Sequence, residues 1–185
     1  IYQASNMDPA SLATNAFGQN YNCTMVQMAA GYASLINGGS YYEPHVVKEI
    51  LNDEGSVVKS VSPNLVRETV SESTSNFINN ALYQTVSGDG GTAGAAAVAG
   101  YEVAGKTGTA QENEKRPNHA LFVGYAPTDS PQIAIATRIA YGYGSSNACV
   151  FVDQVLKYYF KQNTEEELLN GQATNVGSSS NSFGD

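Results

Sequence analysis

Residues 104–111 read AGKTGTAQ: Lys106 sits between two glycines, two threonines follow, and no serine, histidine or cysteine in the octet can act as a nucleophile. Such a run has a definite use when it lies along the rim of a cleft. Lys106 supplies positive charge, the hydroxyls of Thr107 and Thr109 can bond a carboxylate, and a glycine without a Cβ lets a ligand backbone lie against the strand edge. If the Thr109 N–H points into the same cleft, it can donate to an oxyanion forming on an attacked carbonyl, a contact worth about 3 kcal/mol of transition-state stabilisation. Alone, the tripeptide Lys-Thr-Gly is weak evidence, because three common residues recur by chance and a lysine in such a strand is ordinarily solvated.

The elements that must position these residues are legible in the hydrophobic pattern. In TMVQMAAGYASLIN, Met25, Met28, Ala29, Tyr32, Leu35 and Ile36 share one helical face. Thr24 and Gln27 form a capping box at its start, and Asn37-Gly38-Gly39 supplies a left-handed stop. The stretch YYEPHVVKEILNDEGSVVKSV reads as a hairpin, with Val46, Val47 and Ile50 before the Asn52–Gly55 turn and Val57, Val58 and Val61 after it. A second helix is expected from about Glu72 to Val86, N-capped by Ser71, with Phe77, Ile78, Leu82 and Val86 in the core. A small-residue turn or helix then leads through Val103 into the lysine strand. HALFVGYA and QIAIATRIAYG, separated by the turn PTDSP, read as antiparallel neighbours. The last regular element is a helix of about ten residues, VFVDQVLKYYF. Residues 1–163 are therefore expected to form the folded part and residues 164–185, rich in Gly, Ser and Asn, a flexible tail. The fold class is α/β, of α+β type: a twisted antiparallel sheet of the lysine strand and the two strands after it, packed by the last helix and flanked by the two earlier ones.

Composition narrows the function classes. The 185 residues are 42% hydrophobic and 14% charged, an ordinary globular balance. A net charge of −8 lacks the basic footprint of a phosphate-backbone binder, so nucleic acid is not expected as a partner. Cys23 and Cys149 are far apart, and His45 and His119 are isolated. No metal-ligand spacing results, no metal or organic cofactor is expected, and both cysteines read as packed thiols. No run approaches the roughly 20 apolar residues of a membrane-spanning helix, so any anchor is expected outside this chain. A chain that opens on Ile1, with no signal-peptide pattern, reads as a fragment.

With its flanks, the octet becomes specific. GTAGAAAVAGYEVAGKTGTAQ followed by NHALFVGYAP resembles the third signature segment of the penicillin-binding transpeptidases, particularly the class B enzymes, whose signatures are S-x-x-K, S-x-N and K-T-G. The likeness runs in consistent order over about residues 12–160, since FGQNYNCTMVQMAAGYASLINGGSYYEPHVVKEI is similar to the family's Gly-Gln-Gly loop, Thr-Pro-x-Gln helix, Asn-Gly-Gly and Pro-x-x-Val segment. Asn20 stands where the family usually has glycine, and Met25 where it often has proline. The resemblance implies a serine D,D-transpeptidase of peptidoglycan synthesis at the extracytoplasmic face of a bacterial membrane. Its partners would be D-Ala-D-Ala stem peptides and the β-lactams that imitate them. Lys106 would hold the electrostatics around the active-site serines, Thr107 and Thr109 would bind the substrate or antibiotic carboxylate, Gly108 would make room, and the Thr109 N–H would complete the oxyanion hole. Gly105 and Ala110 read as packing neighbours; Gln111 is undecided.

The nucleophile is the missing piece. Ser56-Val57-Val58-Lys59 satisfies S-x-x-K, but it follows a hairpin turn, where alternation sends Ser56 and Lys59 to opposite faces. In the family that serine begins a buried helix, with the lysine one turn on. Ser62-Pro63-Asn64, Ser145-Ser146-Asn147 and Ser179-Ser180-Asn181 all satisfy S-x-N and none falls in the family's order, although Ser145–Asn147 follows a strand and is open to a rim contact. The serine is therefore expected in an upstream segment, this chain being the K-T-G part of the domain and inactive by itself. His119 reads as an orienting or solvent-facing residue, Arg138 as an edge or salt-bridged cation with a carboxylate contact left open, Tyr141 and Tyr143 as candidates for the groove wall, and Glu165–Glu167 as a solvated helix face. Two rivals on the same fold remain: a β-lactam sensor, acylated without cross-linking, and a catalytically inactive interaction domain.

Overall fold

The computed structural model describes residues 4–112 and 115–170. In chain order these form α1 (Pro9–Asn15), α2 (Met25–Ile36), β1 (Ser40–Tyr42), β2 (Glu49–Leu51), β3 (Val57–Ser60), β4 (Leu65–Glu68), α3 (Glu72–Ser87), β5 (Ala104–Ala110), β6 (His119–Ala126), β7 (Ile133–Ile139), α4 (Ser146–Tyr159) and α5 (Glu165–Asn170). A short 3-10 turn, Gly94–Ala96, joins α3 to β5.

Local chemistry starts the helices where the sequence indicates. The Thr24 hydroxyl accepts from the Gln27 N–H at 3.1 Å and the Gln27 side chain accepts from the Thr24 N–H at 2.9 Å, satisfying two donors that α2 leaves unpaired. Ser71 caps α3 through the Thr74 N–H. Thr164 and Glu167 make the same reciprocal pair at α5, inside the stretch expected as a tail; residues 171–185 lie outside the described residues.

The central sheet has strand order β5-β6-β7, antiparallel throughout, with β5 on one edge. Alternation along β6 divides its side chains between two cores. Ala120, Phe122 and Ala126 face Ala148, Cys149, Val152 and Leu156 of α4. Tyr125, beside Ala104, packs with Tyr32 and Ile36 of α2 and Leu82 of α3 on the opposite face. The Phe122 ring fills the space above Gly105 and Gly124, where a Cβ at either position would overlap it. Gly105 is thus a packing glycine, as its flanks suggest. On the other face Tyr32 and Tyr125 lie with ring centroids 6.4 Å apart, and neither phenol hydroxyl has a partner among the described residues. Burial pushes both phenols above their ordinary range.

Several details differ from the sequence expectations. Phe77 is 76% exposed while Leu82 and Val86 are buried, because the periodic stripe of α3 is narrower than its apolar content. The helix α4 begins at Ser146, four residues ahead of the apolar run, since polar Ser146 and Asn147 occupy its first turn. The hairpin forms as β2–β3, but Ser40–Tyr42 pairs instead with Leu65–Glu68, a ribbon that three-residue periodicity cannot reveal. Cys149 is buried as expected, whereas Cys23 is only half-buried, on a loop.

Candidate active-site cleft

An antiparallel edge strand exposes the N–H and C=O of every second residue together, because the intervening residues exchange both bonds with the neighbouring strand. On β5 the carbonyls of Gly105, Thr107 and Thr109 face away from β6. Each is taken by a side chain: Gly105 by the Thr85 hydroxyl, Thr107 by the Lys106 ammonium at 3.0 Å, and Thr109 by the Gln19 amide at 3.1 Å. The Thr109 N–H belongs to the same outward set. Lys106 is exposed, and its ammonium also lies 3.1 Å from the Thr107 hydroxyl. That hydroxyl is nearly buried and meets the Thr92 hydroxyl at 3.1 Å, which fixes the Thr107 rotamer. Gly108 pairs with Leu121, and a Cβ on it would crowd the Leu121 side chain at 3.3 Å.

Outside this edge opens a cleft of about 1450 Å³. Its second wall is the loop from Phe17 to Thr24 with the first turn of α2, and its floor is the uncovered part of the sheet. That floor follows from register: Lys106 and Val123 share one row, and Gly108, Leu121 and Arg138 the next. The helices pack on this face near Ala104, Tyr125 and Ala134 and reach the edge of Val123. Although the chain carries a charge of −8, the charged lining among the described residues consists of Lys106, Arg138 and one carboxylate, Glu112. Glu112 is already engaged. The Tyr141 hydroxyl donates to it at 2.8 Å and Arg116 lies 3.3 Å away. The tyrosine hydrogen bond first, with Arg116 and His119 adding, holds its carboxyl below the usual range. Its described lining is left with a cationic balance suited to an anionic ligand.

Lys106, Thr107, Gly108 and Thr109 all line the cleft, with Ala110 and Gln111 continuing the wall. His119 is nearly buried. Its Nδ1 accepts from the Tyr141 N–H at 3.1 Å and the Arg138 guanidinium lies 3.1 Å from Nε2, so it orients its neighbours. Arg138 is exposed at the cleft, while Tyr141 and Tyr143 are not among the lining residues; Tyr141 braces Glu112 and Arg116 instead. Ser56 and Lys59 are exposed on the hairpin, away from the cleft. Ser145 is buried at the start of α4 and Asn147 donates to the Gly142 carbonyl at 2.7 Å, so this S-x-N match is a helix-terminus device. Asn64 binds Glu43 at 3.0 Å, and Ser179–Asn181 lies outside the described residues. No serine lines the cleft among the described residues.

Sequence reasoning assigned no role to Gln19. The signal was present in the FGQN stretch: Asn20 adopts φ 60°, the left-handed region that explains a glycine preference there, and asparagine is among the side chains that best tolerate it. Met25 occupies the first helical position of α2, where proline is favoured because no hydrogen bond from its nitrogen is needed.

A family model described as the penicillin binding protein transpeptidase domain matches residues 2–157. The chain is 36% identical over 145 residues to stage V sporulation protein D of Bacillus subtilis, covering 75% of this chain and 22% of that protein. It is 33% identical over 165 residues to the peptidoglycan D,D-transpeptidase MrdA of Haemophilus influenzae, covering 78% and 25%. Among solved structures, the D,D-transpeptidase domain of a peptidoglycan glycosyltransferase from Eggerthella lenta superposes with a TM-score of 0.67 at 30% identity, over 76% of this chain and 33% of that one. The chain spans about a quarter of the length of these curated relatives.

Proposed function

Because the chain belongs to the transpeptidase-domain family of the class B penicillin-binding proteins, we propose that it supplies the receiving strand of a peptidoglycan D,D-transpeptidase whose nucleophilic serine lies on an upstream segment. The observation that carries this reading is the Lys106–Thr109 run on an edge strand whose outward groups front a cationic cleft.

In the proposed reaction a stem peptide lies along the outer edge of β5, its terminal carboxylate taken by the hydroxyls of Thr107 and Thr109 and by the field of Lys106. The upstream serine, its proton removed by the signature lysine beside it, attacks the carbonyl of the penultimate D-alanine. The Thr109 N–H donates to the oxyanion as charge develops there. Collapse breaks the peptide bond, and the departing D-alanine nitrogen takes up a proton. An amine of a neighbouring stem then attacks the acyl-serine, forming the cross-link and freeing the serine. A β-lactam enters by the same route, but its leaving nitrogen stays tethered and the serine remains acylated. No helix among the described residues is long and apolar enough to cross a membrane, so anchoring at the extracytoplasmic face is assigned to sequence outside them.

The test is intact-protein mass after incubation with a simple penicillin, for this chain alone and for the chain together with its upstream segment. An adduct that needs the upstream segment and maps to it is expected. One on this chain alone, at Ser56 or Ser145, would refute the division of labour. A sensor would be acylated but would not transfer the acyl group to an added amine.

A further inference from the structure

We propose that Gln19 is a positioning residue for acyl transfer, holding the receiving strand in place at Thr109; this rests on the function proposed above. The side chain crosses from the loop wall to the strand wall, its amide donating to the Thr109 carbonyl at 3.1 Å across 90 residues of chain.

The loop is built to present that one side chain. Gly18 and Asn20, on either side of Gln19, both adopt left-handed conformations, at φ 84° and 60°. Behind them α1 holds the backbone: the Gln19 N–H donates to the Thr14 carbonyl at 3.0 Å and the Gly18 N–H to the Asn15 carbonyl at 3.1 Å. The Asn15 amide donates to the Asn20 carbonyl at 3.3 Å, and the Asn20 amide reaches the buried Ser11 hydroxyl at 3.1 Å. That hydroxyl is itself fixed by Asp8, whose carboxylate also caps α1. A left-handed asparagine costs more than a glycine unless its side chain is used, and here it is used to tie the loop to the helix.

The consequence falls on the oxyanion donor. The Thr109 carbonyl and N–H flank one Cα and point to the same edge, so anchoring the carbonyl holds the residue in the extended conformation that aims the N–H at the cleft. A carbonyl has two lone pairs, so a ligand N–H can still join it while Gln19 is in place. Gln19 touches the strand and not the reacting atoms, so its loss should slow chemistry more than it weakens binding.

In the complete transpeptidase, stopped-flow acylation with a fluorescent penicillin separates the acylation rate constant from the preceding dissociation constant. For Gln19→Ala and Gln19→Met, the latter close in length, uncharged and without a donor, the rate constant is expected to fall about tenfold while the dissociation constant stays within about twofold. A rate constant within about twofold of wild type in Gln19→Met overturns the proposal, as does a change confined to the dissociation constant. Should the alanine variant fail to fold, the methionine variant decides. A wild-type protein that is never acylated would refute the function proposed above and not the contact.

Discussion

Gly105→Ala tests whether β5 depends on the core behind it. The Cβ it adds would overlap the Phe122 ring and lie 2.6 Å from the Val123 carbonyl oxygen. Phe122 is fully buried, its ring lying over both Gly105 and Gly124 within the α4 core, so it can yield only by displacing its packed neighbours. The Val123 carbonyl is part of the strand next to β5 and can yield only if the strands shift. Overpacking commonly costs about 1–3 kcal/mol, and a clash with both a trapped ring and a backbone oxygen belongs near the upper end, about 3 kcal/mol. For a domain of about 150–250 residues that is a fall in melting temperature of roughly 6–12 °C, and about half of it in a chain twice as long. If β5 moves by about an ångström to relieve the clash, Lys106, Thr107 and Thr109 move with it, and penicillin acylation should drop about a hundredfold. Differential scanning calorimetry and the acylation assay on the complete transpeptidase read the two effects. Adding Phe122→Ala, which removes the ring, should make the double variant at least about 1 kcal/mol less destabilised than the two single effects added together. A Gly105→Ala protein that melts within about 2 °C of wild type would refute this account of why a glycine precedes the K-T-G run.

Other perturbations separate the site from its frame. Lys106→Ala should reduce acylation about a hundredfold or more with little change in melting temperature, because the ammonium is exposed and its partners are on the adjacent threonine; an unchanged acylation rate would remove lysine from the receiving edge. Tyr32→Phe deletes a buried hydroxyl that has no partner among the described residues and should stabilise the protein by about 1 kcal/mol, read by denaturant unfolding. Burial raises the folded-state pKa of Tyr32 above its unfolded value near 10.0, so the stability that depends on its protonated state is present below that pH and lost above it; Tyr32→Phe should flatten the alkaline arm of the stability profile. Glu112 has the opposite sign. Its folded pKa lies below the ordinary value near 4.5, so its contribution is present above that pH and lost as pH falls; Glu112→Gln should lower stability at neutral pH and make no difference once the carboxyl is protonated in both states.

What the sequence disclosed and what it withheld divide along range of interaction. The Thr24–Gln27 box, the Ser71 cap and the three long strands are set by neighbours within a few residues, and such signals are readable in one dimension. The placement of Lys106–Thr109 on one strand was readable for the same reason, since strand alternation fixes which groups share an edge. Phe77 and the β1–β4 ribbon were misread because exposure and pairing depend on partners far away in the chain. Glutamine 19 was the costliest omission: its partner lies 90 residues away, and only the left-handed residues around it carry a local trace.

An edge strand that must accept a ligand faces a physical conflict. To receive a peptide it has to keep its outward groups accessible, yet an open edge invites pairing with any other strand. On β5 the outward acceptors are met by side chains from three places: Thr85 on α3, Lys106 on the strand itself, and Gln19 on the loop beyond α1. Side-chain donors fill acceptor positions without supplying the matched row of N–H and C=O groups that a strand offers, so they guard the edge against another sheet while leaving room along it for a short ligand. They also tie the strand to helix α3 and to the opposite cleft wall. Under the proposed function, the geometry of β5 then rests in part on side chains from outside the strand, which is why Gly105, Thr85 and Gln19 belong in the same mutational series as Lys106, Thr107 and Thr109.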